Sequence, residues 1–227
     1  TGILSAKRGA LAPAICPKCT LLLRPIFEEM SDETKIPTAS PEELAEAIFE
    51  IISAGAKLIN LSLAITHSSS RSERKLEEAL DYASNRDIII VAAAGNQGEM
   101  SGSVITRHRA VIPVVASNIS GKPVGYSNLS NSIGKRGLSS PGENITSLGV
   151  NGNSVTLSGT SVSAPFVTGA IALLWSEFPT ATSAQIKFAI LQPSTRRTSV
   201  VPPLLNAWEA FQVLNLNSRS AGYAYRK

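Results

Sequence analysis

Ile88-Ile-Ile-Val-Ala-Ala-Ala-Gly95-Asn96 is a run of seven apolar residues closed by a glycine and a polar amide. The run is short, β-branched at its start and apolar at both parities. That pattern reads as a strand buried on both faces, the habit of a parallel sheet covered by helices on each side. Asn96 then falls just past the carboxyl end of the strand, where open α/β sheets gather their sites.

Working outward, strand and helix patterns alternate. Lys57-Leu-Ile-Asn-Leu-Ser-Leu63 reads as the strand before it, and Val111 to Ala116 as the strand after. Ser40-Pro41-Glu42-Glu43 carries a helix start: a serine cap, proline at the first helical position and acids in the first turn. Leu44, Ala47, Ile48, Ile51 and Ile52 follow at helical spacing, and Gly55 ends the helix. A second helix spans residues 72–84, with Leu76, Ala79, Leu80 and Ala83 on one face. Residues 20–27 form a short apolar run, expected to be a strand, and 28–39 a polar loop. Residues 121–158 are rich in Gly, Ser and Asn and predict short strands and turns. A long helix is expected over 161–178, closing helices over 183–191 and 204–214, and a loosely held tail over 215–227. The reading is one domain, 1–214, with a mostly parallel sheet between two helix layers.

Composition agrees. The chain has 227 residues, 43% hydrophobic, 17% charged and 5% aromatic, enough for one sizeable core. It excludes a disordered acidic segment, a coiled coil and a collagen-like chain. No apolar run approaches the ~18 residues of a membrane span. The net charge of +4 is spread over small groups, Arg71, Arg74 and Lys75 the densest, without interleaved aromatics. Nucleic acid is therefore not the expected partner. Cys16 and Cys19 stand in Cys-Pro-Lys-Cys, with His67 and His108 the chain's two histidines. A zinc site would want a second ligand pair. A thioredoxin-like redox motif would open a helix, whereas this one precedes a strand-like run. A small local disulfide and two free thiols both remain open, and with them the compartment. Thr1-Gly2-Ile3-Leu4 has no basic n-region and is not read as a signal peptide.

The chemistry concentrates in Leu157-Ser-Gly-Thr-Ser-Val-Ser-Ala-Pro-Phe-Val-Thr-Gly169. Gly159-Thr160 makes a tight turn and Ser161 opens a helix. Its hydroxyl is expected to be exposed, with its backbone N–H and the helix dipole aimed at any oxyanion beside it. Pro165 is expected in the first turn, where a missing N–H is tolerated. The Asn96 amide can donate to the same oxyanion.

In these segments the chain resembles the subtilisin-like serine proteases. Gly159-Thr160-Ser161-Val162-Ser163-Ala164-Pro165 is similar to the family's nucleophile motif, and Ala93-Ala94-Gly95-Asn96 to its oxyanion-asparagine motif. Asn60-Leu61-Ser62-Leu63 resembles its substrate-pairing strand. Pro141-Gly142 resembles its Ala-Pro-Gly turn, with Ser140 for Ala, and Tyr126-Ser127-Asn128 its Phe-Ser-Asn. The resemblance implies a three-layer subtilisin-like fold and acyl transfer at peptide bonds. It makes Ser161 the nucleophile and Asn96 an oxyanion donor. Ser62, Leu63 and Ala64, with Ala93, Ala94 and Gly95, become the walls of the pocket for the residue before the cut. Ala64-Ile65 replace the frequent Gly-Gly, which puts the pocket's width in question. A peptide or protein substrate is implied. No cofactor is, and no Asp-rich loop marks the calcium sites that members often carry.

The family's triad runs Asp, His, Ser, and neither the Asp nor the His motif occurs here. Thr1-Gly2-Ile3 resembles the end of the histidine motif. The resemblance therefore places the His about five residues before Thr1 and the Asp further upstream, on a longer chain or a second one, with the first strand and helix region missing. Asp32, His67 and Ser161 occur in triad order, but Asp32 lies in a polar loop and His67 after the substrate strand. Both are read as exposed loop residues, and His108, between two arginines, as surface. Two alternatives accompany the endopeptidase reading. One is a catalytically inactive domain of this family that binds peptides or partners. The other is a cyanobactin-type peptide-maturation protease, on the resemblance of Ala12-Pro13-x-x-Cys16 and Arg24-Pro25-Ile26-Phe27.

Overall fold

A computed structural model describes residues 2–7, 9–12, 14–27, 39–63, 70–149, 152–191 and 198–224. Asp32, Ala64 and His67 lie outside the described residues. In chain order the elements are α1 (Gly2–Ser5), α2 (Pro41–Ser53), β1 (Leu58–Leu61), α3 (Ser70–Ser84), β2 (Ile89–Ala93), α4 (Val104–Arg107) and β3 (Val111–Ser117). Then follow α5 (Asn131–Arg136), β4 (Leu138–Pro141), β5 (Ile145–Leu148), β6 (Ser154–Leu157), α6 (Thr160–Glu177), α7 (Ser183–Leu191) and α8 (Ala207–Ala224).

The sheet runs β1-β2-β3-β4, parallel throughout. Every residue of β2 and β3 is buried. Side-chain parity sorts them into two layers. Ile90 and Ala92 join Ile59, Leu61 and Val111 in a core under α2 and α3. Ile89 and Val91 join Ile112, Val114 and Leu138 in a second core under α6, α7 and α8. This is the three-layer α/β arrangement the continuous apolar run implied. β5 and β6 form a separate antiparallel pair that leads straight into α6.

Local chemistry sets the helix ends. The Ser40 hydroxyl accepts from Glu43 N–H at 3.1 Å, and the Glu43 carboxylate accepts from Ser40 N–H at 2.6 Å. This reciprocal cap holds the Glu43 carboxyl below its usual range. α6 is rich in small and β-branched residues and is buried nearly all round, from Thr160 to Leu174. Pro165 sits inside it, in the second turn rather than the first.

Three further expectations change. Residues 20–27 carry no regular secondary structure, because among the described residues no strand pairs with them; apolar composition alone does not make a strand. The last helix runs past Leu214 to Ala224. His108 is not a surface residue: its side chain is 10% exposed, and Nε2 lies 3.3 Å from Asp81 on α3.

Among the described residues no strand pairs with the outer edge of β1, and this free edge is the sheet's most consequential feature. Beside it lies a groove of about 830 Å³. One wall is β1 and its flanks, the other residues 20–27. Leu44, Ile48 and Ile51 of α2 close one side, and Thr168, Ala172 and Trp175 of α6 the opposite side. Since α2 and α6 belong to different layers, the groove occupies the plane of the sheet itself.

Candidate active site

Ser161, Asn96 and Ser62 meet at the carboxyl edge of the sheet. β1 and β2 are in register with Leu61 opposite Ala92, so the segments leaving them, residues 62–63 and 94–96, run side by side. Ala93, Ala94 and Gly95 are buried, Leu63 half-buried, and Ser62 and Asn96 exposed. α6 enters the same edge after Gly159, whose φ of 142° suits a residue without a Cβ.

The Asn96 side chain is oriented by what it accepts. Thr160 N–H and Thr160 O–H both donate to Asn96 Oδ1 at 2.9 Å. A backbone N–H can only donate, so the atom it meets must be the amide oxygen. The amide NH₂ is thereby turned away from Thr160. Nδ2 and Ser161 Oγ lie 3.2 and 3.3 Å from the point a Gly159 Cβ would occupy. The NH₂ donor and the serine hydroxyl thus flank one small space over Gly159. Ser161 is the second residue of α6, and its N–H has no intrahelical acceptor by position. One donor and a hydroxyl meet there, at the N-terminal end of an 18-residue helix whose dipole is positive at that end.

The loop carrying Asn96 is held from below. Gly95 N–H donates to Thr160 Oγ1 at 3.1 Å. Asn128 N–H donates to Gly95 C=O at 3.0 Å, and Asn128 Oδ1 accepts from Gln97 and Glu99 N–H at 3.1 and 3.0 Å. Gly95 has φ 108°, and a Cβ there would collide with the Asn128 amide. Nearby, Tyr126 O–H donates to Gly142 C=O at 2.8 Å, and Gly159 N–H donates to the same carbonyl at 2.8 Å.

Ser62 does more than border a pocket. Pro165 has no N–H, so the carbonyl of Ser161, four residues earlier, lacks its helical donor. Ser62 O–H supplies one at 2.9 Å. Asn60 Nδ2 in turn donates to Ser62 Oγ at 2.7 Å. Asn60 Oδ1 accepts from Thr168 O–H at 2.9 Å, a hydroxyl that also lies 3.1 Å from Ala164 C=O. A relay of side chains therefore ties β1 to the first turns of α6. Sequence reading placed Asn60 and Thr160 in motifs without giving either of them this side-chain role, and gave none to Thr168. A polar Asn inside an apolar strand was the available signal.

His108 lies elsewhere. It precedes β3, at the amino edge of the sheet, whereas Ser161 and Asn96 stand at the carboxyl edge. Burial lowers its pKa below the usual histidine value, the Asp81 carboxylate opposing.

The chain is similar to known proteins in sequence and in fold. The chain is 34% identical over 158 residues to a thermostable alkaline protease of Halalkalibacterium halodurans, covering 70% of this chain and 42% of that protein. To subtilisin NAT of Bacillus subtilis subsp. natto it is 33% identical over 141 residues, covering 60% and 35%. The chain thus spans less than half the length of these relatives. Among solved structures, the prenylagaramide maturation protease PagA superposes with TM-score 0.83 at 28% identity, over 93% of this chain and 79% of that one. The patellamide maturation protease PatA does so with TM-score 0.78 at 30% identity, over 94% and 81%. The model of the subtilase family matches residues 30–207, a span that includes the Ser62 strand, Asn96 and Ser161, and the chain belongs to that family of serine proteases.

Proposed function

We propose that this chain carries the nucleophile and oxyanion half of a serine endopeptidase of the subtilisin type. Ser161 Oγ attacks the scissile carbonyl of an extended peptide. The developing oxyanion is met by Ser161 N–H and Asn96 Nδ2. The C–N bond breaks, the amine takes a proton and leaves, and water then hydrolyses the acyl-enzyme. Ser62 and Leu63 on one side and Ala93, Ala94 and Gly95 on the other form the pocket before the cut. The observation that carries this reading is the Thr160-fixed orientation of the Asn96 amide beside Ser161.

The general base and its orienting carboxylate come, in this reading, from an upstream segment or a second chain. The groove supports that origin. It lies in the sheet plane, between the free edge of β1 and residues 20–27, and is closed by both helix layers. An additional strand there would extend the sheet beyond β1 and end near Ser62. A peptide-maturation protease is the alternative form of this reading, supported by the likeness to the maturation proteases PagA and PatA over more than nine-tenths of this chain.

The test is fluorophosphonate labelling of the longest native polypeptide containing this chain, read by intact mass with a Ser161→Ala control. Labelling that disappears in the control is expected. A folded protein that never labels favours the inactive peptide-binding alternative.

A further inference from the structure

Cys16 and Cys19 play no part in the chemistry above, yet they are placed for chemistry of their own. Both thiols are free. Cys19 N–H donates to Cys16 C=O at 3.0 Å, closing Cys-Pro-Lys-Cys into a tight turn. Both residues line the groove beside β1. The two environments differ. Cys16 is 3% exposed and Cys19 half-buried. Burial first, then the hydrogen bond with Cys19, pushes the Cys16 thiol up to about 12.

The backbone around them is asymmetric too. Ile15 and Cys16 N–H donate to the carbonyls of Ile3 and Leu4, both at 3.0 Å. Ile15 also packs against Gly169 of α6, in space that a side chain at Gly169 would need. Cys16 is therefore fixed to α1 and α6. Cys19 leads directly into residues 20–27, the groove wall that belongs to no sheet. One thiol sits on the anchored part of the molecule and the other where the free wall begins.

We propose that Cys16 and Cys19 form an oxidative modification site: a dithiol that closes to an intramolecular disulfide by exchange with a low-molecular-weight disulfide of the glutathione type, tying the start of the groove wall to α1 and α6. The accessible Cys19 acts first. Its thiolate attacks one sulfur of the external disulfide, forming a mixed disulfide and releasing one thiolate. Cys16 Sγ then attacks Cys19 Sγ, expelling the second thiolate. The two thiol protons end on the two released thiols, and the two electrons lost by the protein reduce the external disulfide. The turn closed by the Cys19 N–H bond to Cys16 C=O keeps the two residues together, so closure has a high effective concentration. The buried, protonated Cys16 makes the second step the slow one. Among the described residues no cluster of three or more ligating side chains includes this pair, which favours the redox reading over metal chelation. The proposal is independent of the protease reading.

The experiment equilibrates the purified protein in buffers of reduced and oxidised glutathione, quenches with an alkylating agent and reads intact mass. The expected product is a species two hydrogens lighter, with neither thiol alkylated, reversed by dithiothreitol. Its fraction should follow the ratio of oxidised glutathione to the square of reduced glutathione. In Cys19→Ser no adduct should form at the buried Cys16. Cys16→Ser should stop at a stable glutathione adduct on Cys19. Peptide mapping of the oxidised wild type gives the same information should Cys16→Ser fail to fold. Two alkylatable thiols after oxidation, or a wild-type adduct that depends on the first power of reduced glutathione, would overturn the proposal.

Discussion

Removing the Ser62 hydroxyl tests the relay between β1 and α6 directly. Ser62 Oγ makes two hydrogen bonds, accepting from Asn60 at 2.7 Å and donating to Ser161 C=O at 2.9 Å. Each such bond contributes about 0.5–1.5 kcal/mol net. Ser62 is exposed, so water replaces part of what is lost, and Ser62→Ala should cost about 1–2 kcal/mol. The reason for the cost is specific: Pro165 leaves the Ser161 carbonyl without a helical donor. Pro165→Ala restores an N–H four residues on, and in that background the Ser62 hydroxyl becomes redundant. Ser62→Ala should then cost less than about half as much. The assay is a double-mutant cycle by urea denaturation of the four proteins, with equal m-values required. Intrinsic effects of removing proline cancel around the cycle. Costs that add within about 0.5 kcal/mol, the ordinary error for independent sites, would refute the claim that Ser62 substitutes for the missing N–H.

Asn96→Asp keeps the oxygen that accepts from Thr160 and replaces the NH₂ donor, so stability should shift by under about 1 kcal/mol while serine reactivity collapses. In subtilisin itself, loss of the equivalent donor costs about 10²–10³ in turnover; labelling rates and thermal melts measured together would expose an equal fall in both, which would make Asn96 structural. Gly142→Ala drives a Cβ into Ser163 Oγ and Ala116 and should destabilise by about 1–3 kcal/mol; urea midpoints check it, and a neutral result would mean the turn moves freely. His108 has a folded pKa below its unfolded value, so its stabilising contribution is present above about pH 6.5 and is lost as pH falls through the depressed value. His108→Gln should flatten the stability slope between pH 7 and 5, and an unchanged slope would assign the titration to other groups. Asp81, Glu77 and Arg109 are the charged groups acting on this histidine.

Local codes in the sequence were read well. The Ser40 cap, the continuous run 88–94 and the long small-residue helix each rest on neighbours within a few positions, and each element is present. The subtilase family followed from motif order. Features that depend on distant partners were harder to read. Residues 20–27 have strand composition but, among the described residues, no strand to pair with. The Ser62 hydroxyl bond joins residues 99 positions apart, and the Thr168 bond to Asn60 spans 108. No local pattern encodes either. His108 looked exposed from its flanking arginines, since nothing in Arg-His-Arg reports that Asp81 packs against it.

Those long spans also govern timing. Asn96 is fixed by a residue 64 positions later, and Ser62 reaches a carbonyl 99 positions on. Contacts of such high sequence separation form late, after the costly closure of long loops. A copy in which these contacts have opened holds the serine but neither the oriented amide nor the satisfied carbonyl. Under the proposed reading, cutting competence would require these distant contacts to be closed, so an unfinished molecule would be poorly equipped to digest its siblings.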